Sequence, residues 1–332
     1  MPPALIPIGN RPLLFHIIEM LSTAGITDVG LVVSATSGEY IRGAVGNGSA
    51  WGMRATYIEQ PEPCGAVEAL LAAESFLGSE PCLLHASDCL VPDGLPDLVQ
   101  KFVGTGLDAL MVVTQRTGGS DDDAEADADR TGSAEQAAPT PLLEPLGVHL
   151  VSERVVNAAH WIEPSWRGRL EIDDALERVR SAGGRVAAQQ PRRAWRYRGR
   201  PDDLLDVNRA VLDELERDHK RATIEDSSIR GKVVVDPSAT IESSVVRGPA
   251  IVGPGARISD AYIGPYTSVG ARTRISDSEV EDSILLPGAV VEHLKVRLAA
   301  SVIGPDVRLF HDFAPPNVMR LRLAAGDEVA LA

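Results

Sequence analysis

The chain reads as an α/β protein in two parts: a doubly wound α/β domain over residues 1–220 and a parallel β-helix over 221–332. Three observations predict this. Short apolar runs alternate with stretches of helical periodicity through the first two-thirds, the mark of a sheet covered by helices. From Ile229 onward the aliphatic residues recur every 17 positions. Between these regimes only one long interruption occurs, residues 115–141, carrying Asp121-Asp122-Asp123 and little that is apolar, which predicts a solvated, disordered loop.

In chain order, Leu14, Ile17, Ile18 and Leu21 lie at helical spacing and predict a helix over Leu13–Ala24 with Gly25 as its C-cap. Val29–Val33 is a continuous apolar run, hence a buried parallel strand. Helices are expected over Glu39–Val45, Ala66–Phe76, Pro96–Val103, Asp173–Ser181 and Asp202–Arg217. Strands are expected over Ala55–Ile58, Ala109–Thr114, Gly147–Val151 and Arg185–Gln189. Between two of these helices, Cys82–Ala86 reads as a short buried parallel strand running out into Ser87-Asp88-Cys89. A carboxylate where such a strand stops can hold a divalent cation against a phosphate, though it also serves as a turn former or helix N-cap.

The last third is periodic in three registers. Ile229, Val246, Ile263 and Val280 form one column; Val235, Val252, Val269 and Leu286 a second; Ile241, Ile258 and Ile275 a third. Three short strands per coil, each sending one aliphatic side chain inward, describe a triangular solenoid whose coils bury their faces only by stacking. Glu292 stands where the third column is due an aliphatic, and 318–331 reads as a closing cap.

Composition narrows the function. The 332 residues carry a formal net charge of −15 with no clustered basic tract, which argues against nucleic acid and against an anionic membrane. No apolar run is long enough to span a bilayer and Met1-Pro2-Pro3 lacks a secretion signal, so a soluble cytoplasmic protein is expected. Cys64, Cys82 and Cys89 have neither disulfide nor zinc spacing. Before residue 220 the only lysine is Lys101. The arginines Arg196, Arg198 and Arg200 read either as a solvated face or as receivers of an anionic ligand.

Several stretches together resemble the sugar-1-phosphate nucleotidylyltransferases, most closely the long form of the glucose-1-phosphate thymidylyltransferases, which ends in a left-handed β-helix of hexapeptide repeats. The matching pieces are Ala4–Leu13 (ALIPIGNRPL), Ala24–Val29 (AGITDV), Gly46–Ser49 (GNGS), Tyr57–Gln60 (YIEQ), Pro63-Cys64-Gly65, Pro164–Gly168 (PSWRG), and Pro201–Leu205 (PDDLL) with Asn208-Arg209. The resemblance implies a Rossmann-like nucleotidyltransferase domain in which a sugar-1-phosphate oxygen attacks the α-phosphate of a nucleoside triphosphate. It implies that Gln60 reads the base, that the nucleotide lies over Gly65, and that Asp88 is the first of two aspartates holding Mg2+.

Other positions depart from that pattern. The family's glycine-rich loop and first strand should precede Pro2, and no counterpart stands there. Pro3 occupies the place of a phosphate-binding lysine, and Cys89 replaces the asparagine usual after the aspartate. Tyr197, after Trp195-Arg196, occupies the place of the second magnesium aspartate, and a neutral phenol is no substitute for a carboxylate on a hard cation. Glu144-Pro145 lacks the lysine of the family's sugar-phosphate segment. Removing a single preorganised charge-stabilising group commonly costs roughly a hundredfold in rate, so the expected protein is a nucleotidylyltransferase relative with little transfer activity of its own. It would bind a nucleotide or sugar nucleotide, or act as a regulatory subunit in a homo-oligomer or beside an active paralogue. Two alternatives stand: an active enzyme with an altered site or a start upstream of Met1, and a β-helix acyltransferase using His293 or His311.

Overall fold

The structure is a computed structural model describing residues 2–60, 65–115, 143–166, 168–219 and 221–311. The chain divides into two compact units, with the division between Glu216 and Arg217. The acidic stretch from 116 to 141 and the expected cap at 318–331 lie outside the described residues.

The first unit opens with a 3-10 turn over Pro3–Leu5 and helix α1, Leu13–Thr23, which buries Leu13, Leu14, Ile17, Ile18, Met20 and Leu21 on one side. Strand β1, Asp28–Ser34, leads into helix α2, Ala35–Val45. That helix starts four residues before its expected first residue because the Ser34 hydroxyl accepts the Ser37 N–H and fixes its N-terminus. Strand β2, Arg54–Gln60, runs parallel to β1 in unbroken register from Asp28↔Arg54 to Ser34↔Gln60. Helix α3, Ala66–Ala72, stops at Ala73 and a separate turn, Glu74–Leu77, follows, so the single helix expected over Ala66–Phe76 is broken.

Strand β3, Cys82–His85, precedes the two-residue β4, Cys89–Leu90, and helix α4, Leu95–Thr105. Then come β5, Ala109–Gln115, β6, Leu143–Val151, helix α5, Glu153–Ala159, helix α6, Ile172–Ser181, and β7, Val186–Gln189. The unit closes with β8, Trp195–Arg196, and helix α7, Pro201–Asp213, four residues shorter than expected at its C-terminus.

Two expectations about the sheet are corrected. β3 does not end a parallel pairing: its partner is β6, and the two are antiparallel. The four-stranded sheet runs β3-β6-β5-β7, with only β5 and β7 parallel. Nor are the apolar runs of β1 and β3 fully buried. Only Val33 of β1 is buried, and all four residues of β3 are half-exposed. Among the described residues each of these strands is paired along one edge alone, which leaves an apolar sequence at a sheet edge. Burial concentrates where α3, α5 and α6 cover β5 and β6, joining Val67, Leu70, Val151, Val155, Leu176 and Val179.

The second unit consists of three parallel sheets, of six, five and five strands, each built from one strand per coil. Backbone register stacks Ile229 on Val246, Ile263 and Val280, and Ile241 on Ile258 and Ile275, as the spacing predicts. The corners repeat as well: Asp226, Ser243, Asp260 and Asp277 all adopt positive φ, which Asp and Ser tolerate better than branched residues. The second column is corrected in its last coil. Val269 pairs with Leu285, not Leu286, because that coil is one residue shorter between its second and third sides. The same slip brings Val291, fully buried, onto Ile275 and turns Glu292 outward to Ser276 and Arg308. The repeat at Glu292 is therefore shifted rather than interrupted.

Candidate functional site

The chemistry-bearing side chains of the first unit gather at the end of β3. Chain direction there is set by Gly147, whose φ of 86° and missing side chain let it approach Ala86; a Cβ at 147 would lie 2.8 Å from the Ala86 Cβ. The Ala86 N–H donates to the Gly147 carbonyl at 2.8 Å, closing the β3–β6 pairing one residue before the chain turns out through Ser87 and Asp88.

β4 and β8 form a two-residue antiparallel ribbon, with Leu90 opposite Trp195 and Cys89 opposite Arg196. Alternation sends the side chains of each opposed pair to one face, so Arg196 and Cys89 share the face turned to Asp88. Arg196 donates from Nε to Asp88 Oδ2 at 3.3 Å and from Nη1 to the Pro145 carbonyl at 3.3 Å. The Tyr197 N–H donates to the Asp88 carbonyl at 2.7 Å, tying the residue after the ribbon to the same loop. Beyond it, Arg198 is ion-paired with Glu144, and Arg200 reaches Asp203 Oδ1 at 3.1 Å. Burial works to raise the Asp203 carboxyl's pKa, but the backbone N–H of Arg198 (2.7 Å) and the Arg200 groups outweigh it and hold the carboxyl below its usual range.

The electrostatics are those of a half-closed, cation-bearing site. Burial pushes the His85 imidazole down to about 4, and burial with the positive Arg196 nearby takes His149 to about 4 as well. Both are neutral at pH 7. Burial, then the Asp88 charge, raises the Cys89 thiol, which donates to the Ala86 carbonyl at 3.3 Å and is no nucleophile. Four buried polar atoms have no hydrogen-bond partner among the described residues: Asp88 Oδ1, His85 Nε2, His149 Nδ1 and Glu68 Oε2. Unpaired polar atoms cost about 1–3 kcal/mol each when shielded from water, so their presence around one loop is the signature of a place where a ligand completes the bonding.

Of the residues singled out in the sequence, Asp88, Cys89, Arg196 and Tyr197 are brought together. Arg198 and Arg200 lie on the continuation of β8, each against its own carboxylate. Gln60, half-buried at the end of β2, and Gly65, exposed at φ 143° where α3 begins, flank a segment outside the described residues. Pro3 sits exposed in the first 3-10 turn, its carbonyl accepting the Ile6 N–H. In the second unit His293 lies 3.2 Å from Asp277 Oδ2 at a coil corner, half-exposed. His85, His149 and Glu68 were missed. A signal for His149 is present in the sequence, since it interrupts the otherwise apolar Val148–Val151, but nothing local marks it as pointing to Arg196.

The donor set does not fit a Mg2+ ion held by the protein. Asp88 offers one uncommitted oxygen with a guanidinium fixed on the other, and the neighbouring carboxylate Glu144 is taken by Arg198. Mg2+ seeks hard oxygen ligands in near-octahedral array, and a cation placed beside its single carboxylate repels it. Among the described residues no group of three or more His, Cys, Asp and Glu side chains could hold a metal.

A mixed sheet covered by helices, a phosphate-scale polar site at a strand end and an appended parallel β-helix define the architecture of a sugar-nucleotide-handling nucleotidyltransferase. Comparison with known proteins agrees. The family model described as nucleotidyl transferase matches residues 1–124. The chain is 35% identical to a glucose-1-phosphate thymidylyltransferase of Streptomyces antibioticus, over 98% of this chain and 93% of that protein. It is 35% identical to another from Streptomyces griseus, over 96% and 90%. A nucleotidyltransferase of low-salt glycan biosynthesis from Haloferax volcanii is 31% identical over 72% of this chain and 68% of its own length. The chain belongs to the nucleotidyl transferase family and is glucose-1-phosphate thymidylyltransferase-like along nearly its whole length. Among solved structures, a Bacillus anthracis protein assigned as a glucose-1-phosphate thymidylyltransferase and crystallised with sucrose superposes with a TM-score of 0.52 at 20% identity. That match covers 65% of this chain and 89% of the other. A UDP-glucose pyrophosphorylase complexed with UDP-glucose gives 0.50 at 17%, covering 64% and 91%. These two likenesses concern the fold. Among the described residues no helix is long and apolar enough to cross a membrane.

Proposed function

We propose that this protein is a nucleotide- or sugar-nucleotide-binding member of its family that serves as a regulatory or partner subunit and transfers little or no nucleotidyl group itself. The observation that carries this reading is the Arg196 guanidinium on Asp88, at the one carboxylate where a metal ion would meet the triphosphate. A fixed guanidinium can bind a phosphate oxygen bidentately, but as a permanent member of the site it binds ground state and transition state alike. Transfer requires charge stabilisation that grows as pyrophosphate leaves. With Tyr197 in the second position and Glu144 neutralised by Arg198, the described residues supply no further carboxylate there for a metal. Gln60 and Gly65 then serve recognition: an amide for the base edge and an open backbone on which the nucleotide lies.

The test is isothermal titration of the full chain with dTTP and dTDP-glucose, with Mg2+ and again with chelator. A pyrophosphate-release assay with glucose 1-phosphate runs beside an active relative. Expected are saturable binding of at least one ligand, an affinity changed less than about threefold by chelation, and turnover roughly a hundredfold or more below the relative. Sustained turnover by the purified chain overturns the reading, as does binding of neither ligand.

A further inference from the structure

On the other face of the β4–β8 ribbon lies a cavity of about 230 Å3 that has no part in the Asp88 site. Leu90 and Trp195, cross-strand partners, point into it, while their neighbours Cys89 and Arg196 point away toward Asp88. The remaining walls are Met20 of α1, Pro96 at the start of α4, and Ala210 with Val211 of α7. This is an apolar, partly aromatic chamber with a polarizable thioether, built from four elements of one unit. It exceeds the roughly 150 Å3 that suffices to hold a benzene ring in a protein interior.

Charge at its mouth is unbalanced. Arg193 faces two carboxylates, Asp93 through Nη2 at 2.9 Å and Glu214 through Nη1 at 2.8 Å, so one positive charge answers two negative ones. The Arg193 hydrogen bonds hold the Asp93 carboxyl below its usual range, which keeps it ionised. Glu19, the other acid of the rim, is matched by Arg11 at 3.0 Å. His16 adds no charge, because burial, only partly offset by its bond to the Ile8 carbonyl, keeps the imidazole neutral. The rim therefore carries a net negative charge above an apolar floor, with the Trp195 ring in the wall. Such a combination favours a flat apolar body bearing a positive charge, through carboxylate attraction and the ring's quadrupole together.

We infer that this cavity is a binding site for a small aromatic ammonium ligand, distinct from the nucleotide site. The probe is phenethylammonium, with 2-phenylethanol as its uncharged counterpart, titrated into the full chain by calorimetry. Methyl spectra of 13C-methionine-labelled protein are recorded alongside. Expected is saturable one-to-one binding with a Kd of about 1 mM or below, and binding of the alcohol at least tenfold weaker. The Met20 methyl should shift while Met53 and Met111 stay in place. Ala210→Phe, which fills the chamber from α7, abolishes binding, and Glu214→Gln narrows the preference for the charged probe. The inference is overturned by no saturable binding of either compound, by equal affinities, by a Met20 methyl that does not move, or by full binding in a folded Ala210→Phe protein. The methyl measurement needs no variant, so the outcome does not hang on whether Ala210→Phe folds.

Discussion

Two imidazoles decide how the first unit responds to pH. His85 and His149 each titrate at about 4 in the folded chain, chiefly through burial, against an ordinary value near 6.5 when unfolded. As pH falls below 6.5 the unfolded chain takes up protons that the folded chain refuses until about pH 4. The stability contributed by keeping these rings neutral is thus complete above pH 6.5 and is lost progressively down to pH 4. The loss is at most about 3 kcal/mol per imidazole. Urea unfolding midpoints should fall between pH 7 and pH 5, and His149→Leu should flatten that fall by removing one of the two groups. A midpoint unchanged across this interval would contradict the burial of both rings. The same residues show where sequence reading stops at this scale. Asp88 was legible because it ends a strand before a turn. Its partner Arg196 lies 108 positions away, and no local pattern says that a guanidinium returns to that carboxylate.

At the scale of elements, the β-helix was legible because each side of a coil contributes one inward aliphatic and little else varies. What the spacing could not reveal was a one-residue deletion compensated inside the coil. Between Ile263 and Val269 the turn is Gly264-Pro265-Tyr266, while the next coil passes from Val280 to Leu285 through Glu281-Asp282. The inward set shifts by one, and with it the roles of Val291 and Glu292. This register makes an asymmetric prediction. Val291→Asp places an unpaired carboxylate in the solenoid core and should destabilise the coil severely, by several kcal/mol or enough to prevent folding. Glu292→Val, whose side chain faces Arg308, should change stability by only about 0.5 kcal/mol. Equal effects in denaturant titration, or the reverse order, would place Glu292 in the column and refute the pairing. The α/β elements were legible in kind but not in partnership: the hydrophobic run of β3 is the same whether its neighbour is parallel or antiparallel. Only the long-range pairing of Leu84 with His149 settles that it is antiparallel.

At the scale of the whole chain, the two kinds of periodicity produce two separate hydrophobic cores. The cluster around Val151, Val155 and Leu176 draws only on residues of the first unit. That around Ile241, Ile258, Ile263 and Val280 draws only on residues of the second. Helical and strand periods of about 3.6 and 2 residues bury side chains between layers, whereas a 17-residue period buries them between coils, so neither pattern continues the other's core. Cooperativity follows shared burial. A fully buried aliphatic truncated in one core should therefore be felt in that unit's unfolding and little in the other's. Ile258 is 1% exposed and Leu176 2% exposed, so alanine at either should cost about 2–5 kcal/mol. Calorimetry of the full chain should resolve two unfolding steps, with Ile258→Ala lowering one midpoint and Leu176→Ala the other. Methyl resonances assigned to each core would identify which step is which. If both substitutions lower a single common midpoint, the chain unfolds as one cooperative body and the independence of the cores is wrong.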